Sequence, residues 1–266
     1  MKQRVSRVVA PIVVLLVLFL GWELLVNAFD VQPYVLPAPS AIAEQVGDNF
    51  DEIIDAALAT GANALAGLII GSVVAVGAAL LAVRLRLVEE LITPLAAAAA
   101  ALPIIALAPV LNNLFSTTST VPRRIVVAIV VFAPVFINTL RGLSTVDPTH
   151  RELLRACGAG DNALLRKVRI PGAVPFTATG LKVASSLSVI AAVVAEYFGG
   201  LQDGLGSRIT SAASNTAYGR AWAYVLAACV LGLAFYVAAS ALERMVSPVR
   251  ARSRRHSNPD RQGVPA

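Results

Sequence analysis

The sequence predicts an all-α membrane protein with about six membrane-spanning helices. Hydrophobic residues make up 57% of the 266-residue chain, and charged residues only 14%. Soluble domains typically contain about 25% charged residues. Several apolar stretches reach the roughly 20 residues that a helix needs to cross a bilayer. Basic residues are concentrated in alternate segments between these stretches, as in other proteins that cross the membrane repeatedly.

The first predicted crossing runs from Val8 to about Phe29, behind a basic N-terminus. It is longer than the apolar core of a secretory signal peptide, so we predict an uncleaved membrane helix. Glu23 lies inside this stretch. An acid within a membrane helix is a functional candidate, whereas an acid near the outer interface reaches water. We favour the second interpretation.

An amphipathic helix is predicted after a proline-rich stretch at 32–40. Ser40 is expected to cap this helix, whose apolar positions run from Ile42 to Leu58 and whose other side is acidic. The helix is too polar to cross a bilayer, so we place it on the outer surface or against the crossings. The predicted parts of the chain are 1–59, the N-terminal crossing and amphipathic helix; 60–245, a membrane core; and 246–266, a basic tail expected to be disordered.

The membrane core is predicted to contain the remaining crossings. They lie at about 60–83, 91–115, 125–140, 176–198 and 221–242. Small residues in the first of these, including Gly67 and Gly71, allow a neighbouring helix to approach closely. Lys182 is expected to extend to the cytoplasmic interface.

Prolines interrupt the third of the six predicted crossings, at about 91–115, where Pro103 and Pro109 remove backbone hydrogen bonds. Broken membrane helices are tolerated where the backbone is buried or lines a cavity, so we expect this segment to line a pathway. Asn112 and Asn113 near its outer end either contact solute or cap the helix. Glu196, near the outer end of a later crossing, either faces the lumen, anchors an outer gate or reaches the interface.

The only long charged segment between the first and last crossings lies at 147–175. Asp147 is expected to cap a first short helix, with Pro148 at its first helical position. Gly158 and Gly160 are expected to end that helix, because glycine readily adopts a left-handed backbone.

A second short helix is predicted after this turn. Asp161 is expected to cap it, and Leu164 and Leu165 occupy apolar positions at helical spacing. Pro171 and Pro175 are expected to end it. The segment is therefore predicted to form a helix–turn–helix with a basic face, which is suited to contact with another protein.

The run E-L-L-R-A-C-G from Glu152 to Gly158, followed by I-P, resembles the EAA loop of permease subunits of binding-protein-dependent ABC importers. The proline, Pro171, follows the glycine by 171 − 158 = 13 residues, which is the family spacing. Leucines replace the two alanines, and isoleucine replaces the usual leucine before the proline. Y-V-L-P-A-P-S-A-I, L-P-I-I-A-L-A-P and A-E-Y-F-G-G elsewhere are similar to the nitrate/sulfonate/taurine branch of these importers.

This resemblance implies the type I ABC importer permease fold, working as a dimer that is expected to be a homodimer. Two ATP-binding subunits would dock on the charged loops, and an extracytoplasmic solute-binding protein would deliver solute. The residues implied in ATPase coupling are Glu152, Arg155, Gly158, Ala159, Asp161, Leu164, Leu165 and Pro171. Those expected to line the pathway are Pro103, Pro109, Asn112, Asn113 and Glu196.

Basic residues also predict the orientation. With the N-terminus inside, the cytoplasm receives the basic N-terminus, the turn after the second crossing, the charged loop and the arginine-rich tail. The basic residues that fall outside are Arg123, Arg124, Arg208 and Arg220. We therefore expect a multi-pass protein of the inner or plasma membrane with both termini in the cytoplasm.

The sequence contains no G-x-x-x-x-G-K-[ST] phosphate loop, and its histidines, His150 and His256, belong to no ligand cluster. We expect no enzyme active site, cofactor, metal or nucleic-acid partner, and ATP hydrolysis on another chain. The alternative, a self-contained ion-coupled carrier or channel, accounts for the crossings but not for the charged loop. The expected solute is a small organic anion or a vitamin-precursor-like compound.

Overall fold

The computed structural model describes residues 2–101, 103–116, 118–145 and 148–246, with side chains except at 2–12, 15, 100, 104, 105, 148, 151 and 155. All regular structure in these ranges is helical, which confirms the all-α prediction. The helices are α1 (Lys2–Ala28), α2 (Pro39–Asp48), α3 (Phe50–Ala82), α4 (Arg86–Ala101), α5 (Ile104–Leu114), α6 (Val121–Ser144), α7 (Pro148–Ala156), α8 (Asp161–Leu164), α9 (Ile170–Tyr197), α10 (Leu205–Ser214) and α11 (Tyr218–Val246). A π-helical turn, Leu165–Arg169, joins α8 to α9. Asp147 and the predicted tail from residue 247 onward lie outside the described residues.

Four helical segments of the described chain are long and apolar enough to cross a membrane. They are Phe50–Ala82, Val121–Ser144, Asp161–Tyr197 and Tyr218–Val246. The first predicted crossing corresponds to α1, which has 27 residues. The third is divided between α4 and α5, and each is shorter than the about 20 residues that a crossing requires. Pro103, with extended backbone, precedes α5, so the predicted break is confirmed at Pro103. Pro109 lies inside α5 and does not break it.

The predicted amphipathic helix is in fact two helices. It is interrupted at Asn49, and its second half forms the first turns of α3. The 33 residues of α3 extend about 50 Å at about 1.5 Å per residue. Because the hydrocarbon core of a bilayer is only about 30 Å thick, the acidic first turns of α3 can remain outside it. The predicted division between residues 59 and 60 falls inside this continuous helix.

The core of the molecule is formed by α3, α6 and α9, which pack through small side chains. At Gly71 in α3, a Cβ atom would lie 2.6 Å from the backbone oxygen of Ala128 in α6. At Gly142 in α6, a Cβ atom would lie 2.8 Å from the Cα atom of Ala173 in α9. Real Cβ atoms do not approach so closely, so these contacts require glycine. The predicted close packing at Gly71 is confirmed.

We expect Gly71→Val to lower the thermal unfolding midpoint of the purified protein. Valine would be forced against the α6 backbone, and overpacking of this kind costs about 1–3 kcal/mol. Gly77→Val is a matched control on the same helix, because a Cβ atom at Gly77 meets no atom within 4 Å. Equal midpoints for the two variants in detergent would contradict the role assigned to Gly71.

Two charged side chains, Glu23 and Lys182, make contacts that the sequence did not predict. Oε1 and Oε2 of Glu23 accept hydrogen bonds from the hydroxyl and backbone N–H of Ser40, at 2.7 and 3.0 Å. Ser40 therefore does not cap α2, whose N-cap is Ala38. Nζ of Lys182 lies 2.6 Å from Oε2 of Glu243, so it links α9 to α11 instead of extending freely to the interface.

Candidate coupling loop and outer charge cluster

The charged loop begins with α7 and turns at Gly158. The N–H of Ala159 donates to the carbonyl of Leu154 at 2.9 Å, which closes the end of the helix. Gly158 has φ +71°, a backbone conformation that side-chain-bearing residues rarely adopt. The predicted end of the first helix at this glycine is confirmed.

The second half of the loop differs from the prediction at both of its ends. Gly160, not Asp161, is the N-cap of α8. The helix also does not end at Pro171 or Pro175, because α8 continues through the π-helical turn into α9. Proline lacks an N–H and its ring crowds the carbonyl four residues earlier. The wider π-helical turn directly before Pro171 relieves this crowding, and the chain stays helical.

The residues expected to couple to an ATPase fall into exposed and buried groups. Glu152, Gly158, Asp161 and Pro171 are exposed, and Ala159 is partly buried. Leu164 and Leu165 are buried, so they hold the loop against the crossings and do not offer a contact surface. The side chain of Arg155 lies outside the described part of the structure.

An exposed leucine in the first helix was missed by the sequence analysis. The side chain of Leu153 is 62% exposed, although leucine is normally buried in a folded protein. The replacement of an expected small residue by leucine in the E-L-L run was the available signal. Leu153 and Glu152 together give α7 an apolar and an acidic contact on its exposed surface.

The loop is fastened to the end of α3. Nη2 of Arg84 donates to Oδ1 of Asn162 at 3.4 Å. Beside this contact lies a cavity of about 460 Å³ lined by Val83, Arg84, Asp161, Asn162, Leu164, Leu165 and Arg169. The loop is thus attached to the membrane core at two places, through Asn162 and through α9.

A buried polar cluster lies at the other end of α9. Because α9 has 28 residues, its two ends are about 42 Å apart, enough to reach opposite faces of a membrane. Oε2 of Glu196 accepts hydrogen bonds from the Thr60 hydroxyl at 2.8 Å and from the Gly206 N–H at 3.2 Å. The N–H of Leu205 donates to the Thr60 hydroxyl at 2.8 Å. At Gly204, a Cβ atom would lie 2.2 Å from the same carboxylate oxygen.

Arg123 completes this cluster, which we define as Thr60, Arg123, Glu196 and Asp203. We call it the outer charge cluster after the orientation that the basic residues predict. Nη1 of Arg123 lies 2.7 Å from Oδ1 of Asp203 and 3.7 Å from Oε1 of Glu196. Its Nη2 donates to the carbonyl of Leu201. The cluster therefore joins α3, the first turn of α6 and the last turn of α9 to the segment that leads into α10.

Two expectations about Glu196 are wrong. Its side chain has 0% exposure in the isolated chain, so it neither reaches interfacial water nor faces a lumen. The remaining alternative, an anchor for the outer gate, stays a prediction.

The two asparagines of α5 occupy different environments. Asn112 is buried, and its Oδ1 and Nδ2 atoms make no hydrogen bond within the described part of the chain. A Cβ atom at Gly200 would lie 3.5 Å from Oδ1 of Asn112, which places this side chain against the segment after α9. Asn113 is exposed. Asn112 therefore does not cap α5 through its side chain. Contact of Asn113 with solute stays a prediction, as does that of Pro103 and Pro109.

The partners of Glu196 could not be identified from the sequence. Thr60 is 136 residues from Glu196 and lies in no recognisable motif. The available signals were the acid itself near the end of a crossing and the glycine-rich run G-G-L-Q-D-G-L-G at 199–206, which contains Asp203. The partners depend on which helices pack together.

Comparisons with known proteins agree with this architecture. The family model described as "Binding-protein-dependent transport system inner membrane component" matches residues 51–248. The formylaminopyrimidine transport permease protein ThiX of Halalkalibacterium halodurans is 29% identical over 249 residues, covering 93% of this chain and 98% of ThiX. The riboflavin transport system permease protein RibX of Chloroflexus aurantiacus is 27% identical over 236 residues, covering 88% of this chain and 87% of RibX.

A solved structure shares the fold. The crystal structure of an amino acid ABC transporter with histidines aligns with a TM-score of 0.63 and 18% identity, covering 75% of this chain and 96% of that chain. At this identity the similarity applies to the fold alone. The match of the family model over most of the chain, together with relatives named as transport permeases, shows that this chain belongs to the family of inner membrane components of binding-protein-dependent transport systems.

Proposed function

We propose that the chain forms the solute pathway of an ABC importer as one half of a homodimer, with both termini and the charged loop in the cytoplasm. A separate ATP-binding subunit docks on the charged loop, and an extracytoplasmic solute-binding protein docks on the opposite face. Family membership favours this arrangement over the self-contained carrier or channel. The basic segments of the sequence support the orientation.

The observation that carries the proposal is the exposed surface of α7. Glu152 and Leu153 are both exposed, and Glu152 forms no ion pair or hydrogen bond with any described side chain. Beyond the turn, Leu164 and Leu165 are buried against the crossings. A rigidly anchored loop with an unused acidic and apolar surface can receive force from a partner and transmit it to α9.

In this mechanism, closure of the ATPase pair pushes the two charged loops together. The helices attached to the loops then rotate as rigid bodies, and the central cavity changes from inward to outward access. The interrupted α4–α5 segment is the proposed pathway wall. Glu196 does not line this pathway, because its side chain is buried.

We propose a small vitamin-precursor-like solute. Two relatives are named for heteroaromatic compounds of this kind, formylaminopyrimidine and riboflavin. Assignment to the nitrate/sulfonate/taurine branch, with a small organic anion as solute, rests only on the motifs in the sequence. Uptake of a labelled aminopyrimidine in competition with taurine would distinguish the two solute classes.

Glu152→Lys tests the docking of the ATPase. We expect uptake and solute-stimulated ATP hydrolysis to fall together by about tenfold or more, because a charge-assisted contact is worth about 1.5–3 kcal/mol. Less ATP-binding subunit should copurify with the affinity-tagged chain, since a repulsive contact replaces an attractive one.

Glu89→Lys is the matched control for this experiment. Glu89 is an exposed acid at the start of α4, on the same face of the membrane as the Arg84–Asn162 contact. The Glu89→Lys variant should take up solute, and copurify with the ATP-binding subunit, about as well as the unaltered protein. Unchanged uptake in Glu152→Lys, with no ATP-binding subunit recovered from any variant, would overturn the proposed function.

A further inference from the structure

In the outer charge cluster, the guanidinium group of Arg123 lies closer to the carboxylate of Asp203 than to that of Glu196. Nη1 of Arg123 is at hydrogen-bond distance from Asp203, at 2.7 Å, but is 3.7 Å from Oε1 of Glu196. Oε1 accepts no hydrogen bond by distance and angle from the described residues, although the Asn63 amide is a near neighbour. Glu196 thus keeps an acceptor position open toward Arg123.

Of the three charged residues in the outer charge cluster, Asp203 is the one that is exposed at the surface. Arg123 is 1% exposed and Glu196 0%, whereas Asp203 is 47% exposed. The exposed carboxylate is that of Asp203, whose charge is complementary to a cation. A cation approaching from outside the membrane core meets Asp203 first. The complementary group is therefore a basic side chain on an extracytoplasmic protein.

The segment that carries Asp203 is attached differently at its two ends. Gly199 and Gly200, with φ +123° and +92°, connect it to α9, and glycine backbones adapt easily. At the other end, the N–H groups of Leu205 and Gly206 are fixed to Thr60 and Glu196. Asp203 can therefore move while the hydrogen bonds at the start of α10 hold.

We propose that Arg123 exchanges one carboxylate partner for another when the solute-binding protein docks. A basic side chain of the solute-binding protein forms an ion pair with Asp203, and the Arg123 guanidinium then moves from Asp203 to Oε1 of Glu196. A displacement of about 1 Å is sufficient, because charge-assisted N–H···O bonds are about 2.7–2.9 Å long. This inference rests on the proposed function, since it assumes that the outer charge cluster faces the binding protein.

The transfer connects docking to the ATPase through one rigid element. Glu196 lies in the last turn of α9, and the first turn of α9 follows the charged loop directly. Closing Arg123 on Glu196 draws the outer ends of α6 and α9 together. Because α9 is continuous, a change in its tilt at one end moves the charged loop at the other. In this proposal Arg123 has two positions, one on Asp203 and one on Glu196. Coupling between the docking site of the binding protein and the charged loop requires such a two-state element.

The test measures ATP hydrolysis by the complete importer in lipid nanodiscs as its solute-binding protein is titrated. Asp203→Asn should raise the half-saturating concentration of binding protein about tenfold, while the rate at saturation stays within about twofold of the parent. Glu196→Gln should do the reverse, leaving the half-saturating concentration within about twofold and lowering the saturated rate about fivefold or more.

Asp51→Asn is the control, because Asp51 is an exposed acid of α3 on the same face and pairs with no described residue. It should change neither parameter. Effects of Asp203→Asn and Glu196→Gln on the same parameter, or on neither, would overturn the proposal.

A second measurement needs no partner protein. In a cryo-EM structure of the Asp203→Asn variant, Nη1 of Arg123 should lie closer to Glu196 Oε1 than the present 3.7 Å. An unmoved Arg123 would overturn the transfer. If the parent complex contains no ATP-binding subunit, or no binding protein stimulates it, the proposed function fails, and this structural measurement still decides whether Arg123 can transfer.

Discussion

The Arg123→Met variant should unfold at a markedly lower temperature than the parent protein, with a loss of about 3–5 kcal/mol of folding free energy. Methionine preserves much of the buried volume but removes the positive charge. Glu196, which has no exposed surface, would then keep the Thr60 hydroxyl and the Gly206 N–H as its hydrogen-bond donors among the described residues. A buried carboxylate without its cation is the main cost.

Arg124→Met is the matched control for this prediction. Arg124 is the next residue along α6, but it is only partly buried, and its Nε atom makes a long 3.4 Å hydrogen bond to Asn63. Its loss should cost about 1 kcal/mol. The double variant Arg123→Met/Glu196→Gln should recover part of the stability, because it removes the unpaired buried charge. Equal unfolding midpoints for the two single variants in detergent would argue against a stabilising outer charge cluster.

Gly158→Val should abolish uptake while leaving the protein inserted in the membrane. The backbone of Gly158 has φ +71°, and holding a β-branched residue in a sparsely populated backbone region costs about 1–3 kcal/mol. The turn between α7 and α8 would rearrange, and the exposed surface of α7 would no longer meet the ATPase in the correct orientation. The crossings, which contact neither Gly158 nor a Cβ built on it, should remain folded.

Gly160→Val separates backbone strain from added bulk. A Cβ atom meets no atom within 4 Å at either glycine, but Gly160 has φ −76°, which valine adopts readily. Uptake measured at equal membrane abundance should be close to normal for Gly160→Val and absent for Gly158→Val. Equal uptake by the two variants would show that the left-handed turn is not required.

The helical architecture and the charged loop were largely predictable because each depends on neighbouring residues. Apolar stretches of sufficient length predicted the crossings, and Pro103 predicted the break between α4 and α5. Gly158 predicted the turn of the charged loop. Two local signals were misleading. Pro171 continues a helix because a π-helical turn precedes it, and the acidic turns after Asn49 extend the membrane helix α3, which is longer than the bilayer is thick.

By itself, the sequence determined a membrane protein of helices, the place of the charged loop and the resemblance of that loop to the EAA segment of ABC importers. The first two properties follow from local composition and spacing, and the third is a resemblance carried by the E-L-L-R-A-C-G run and the I-P pair. Only the tertiary structure decided that Arg123 and Glu196 are buried together with Thr60 and Asp203, and that Leu164 and Leu165 face inward while Leu153 faces outward. The partners of a charge in a bundle are set by which helix ends meet, and residues far apart in the chain carry no local sign of that meeting.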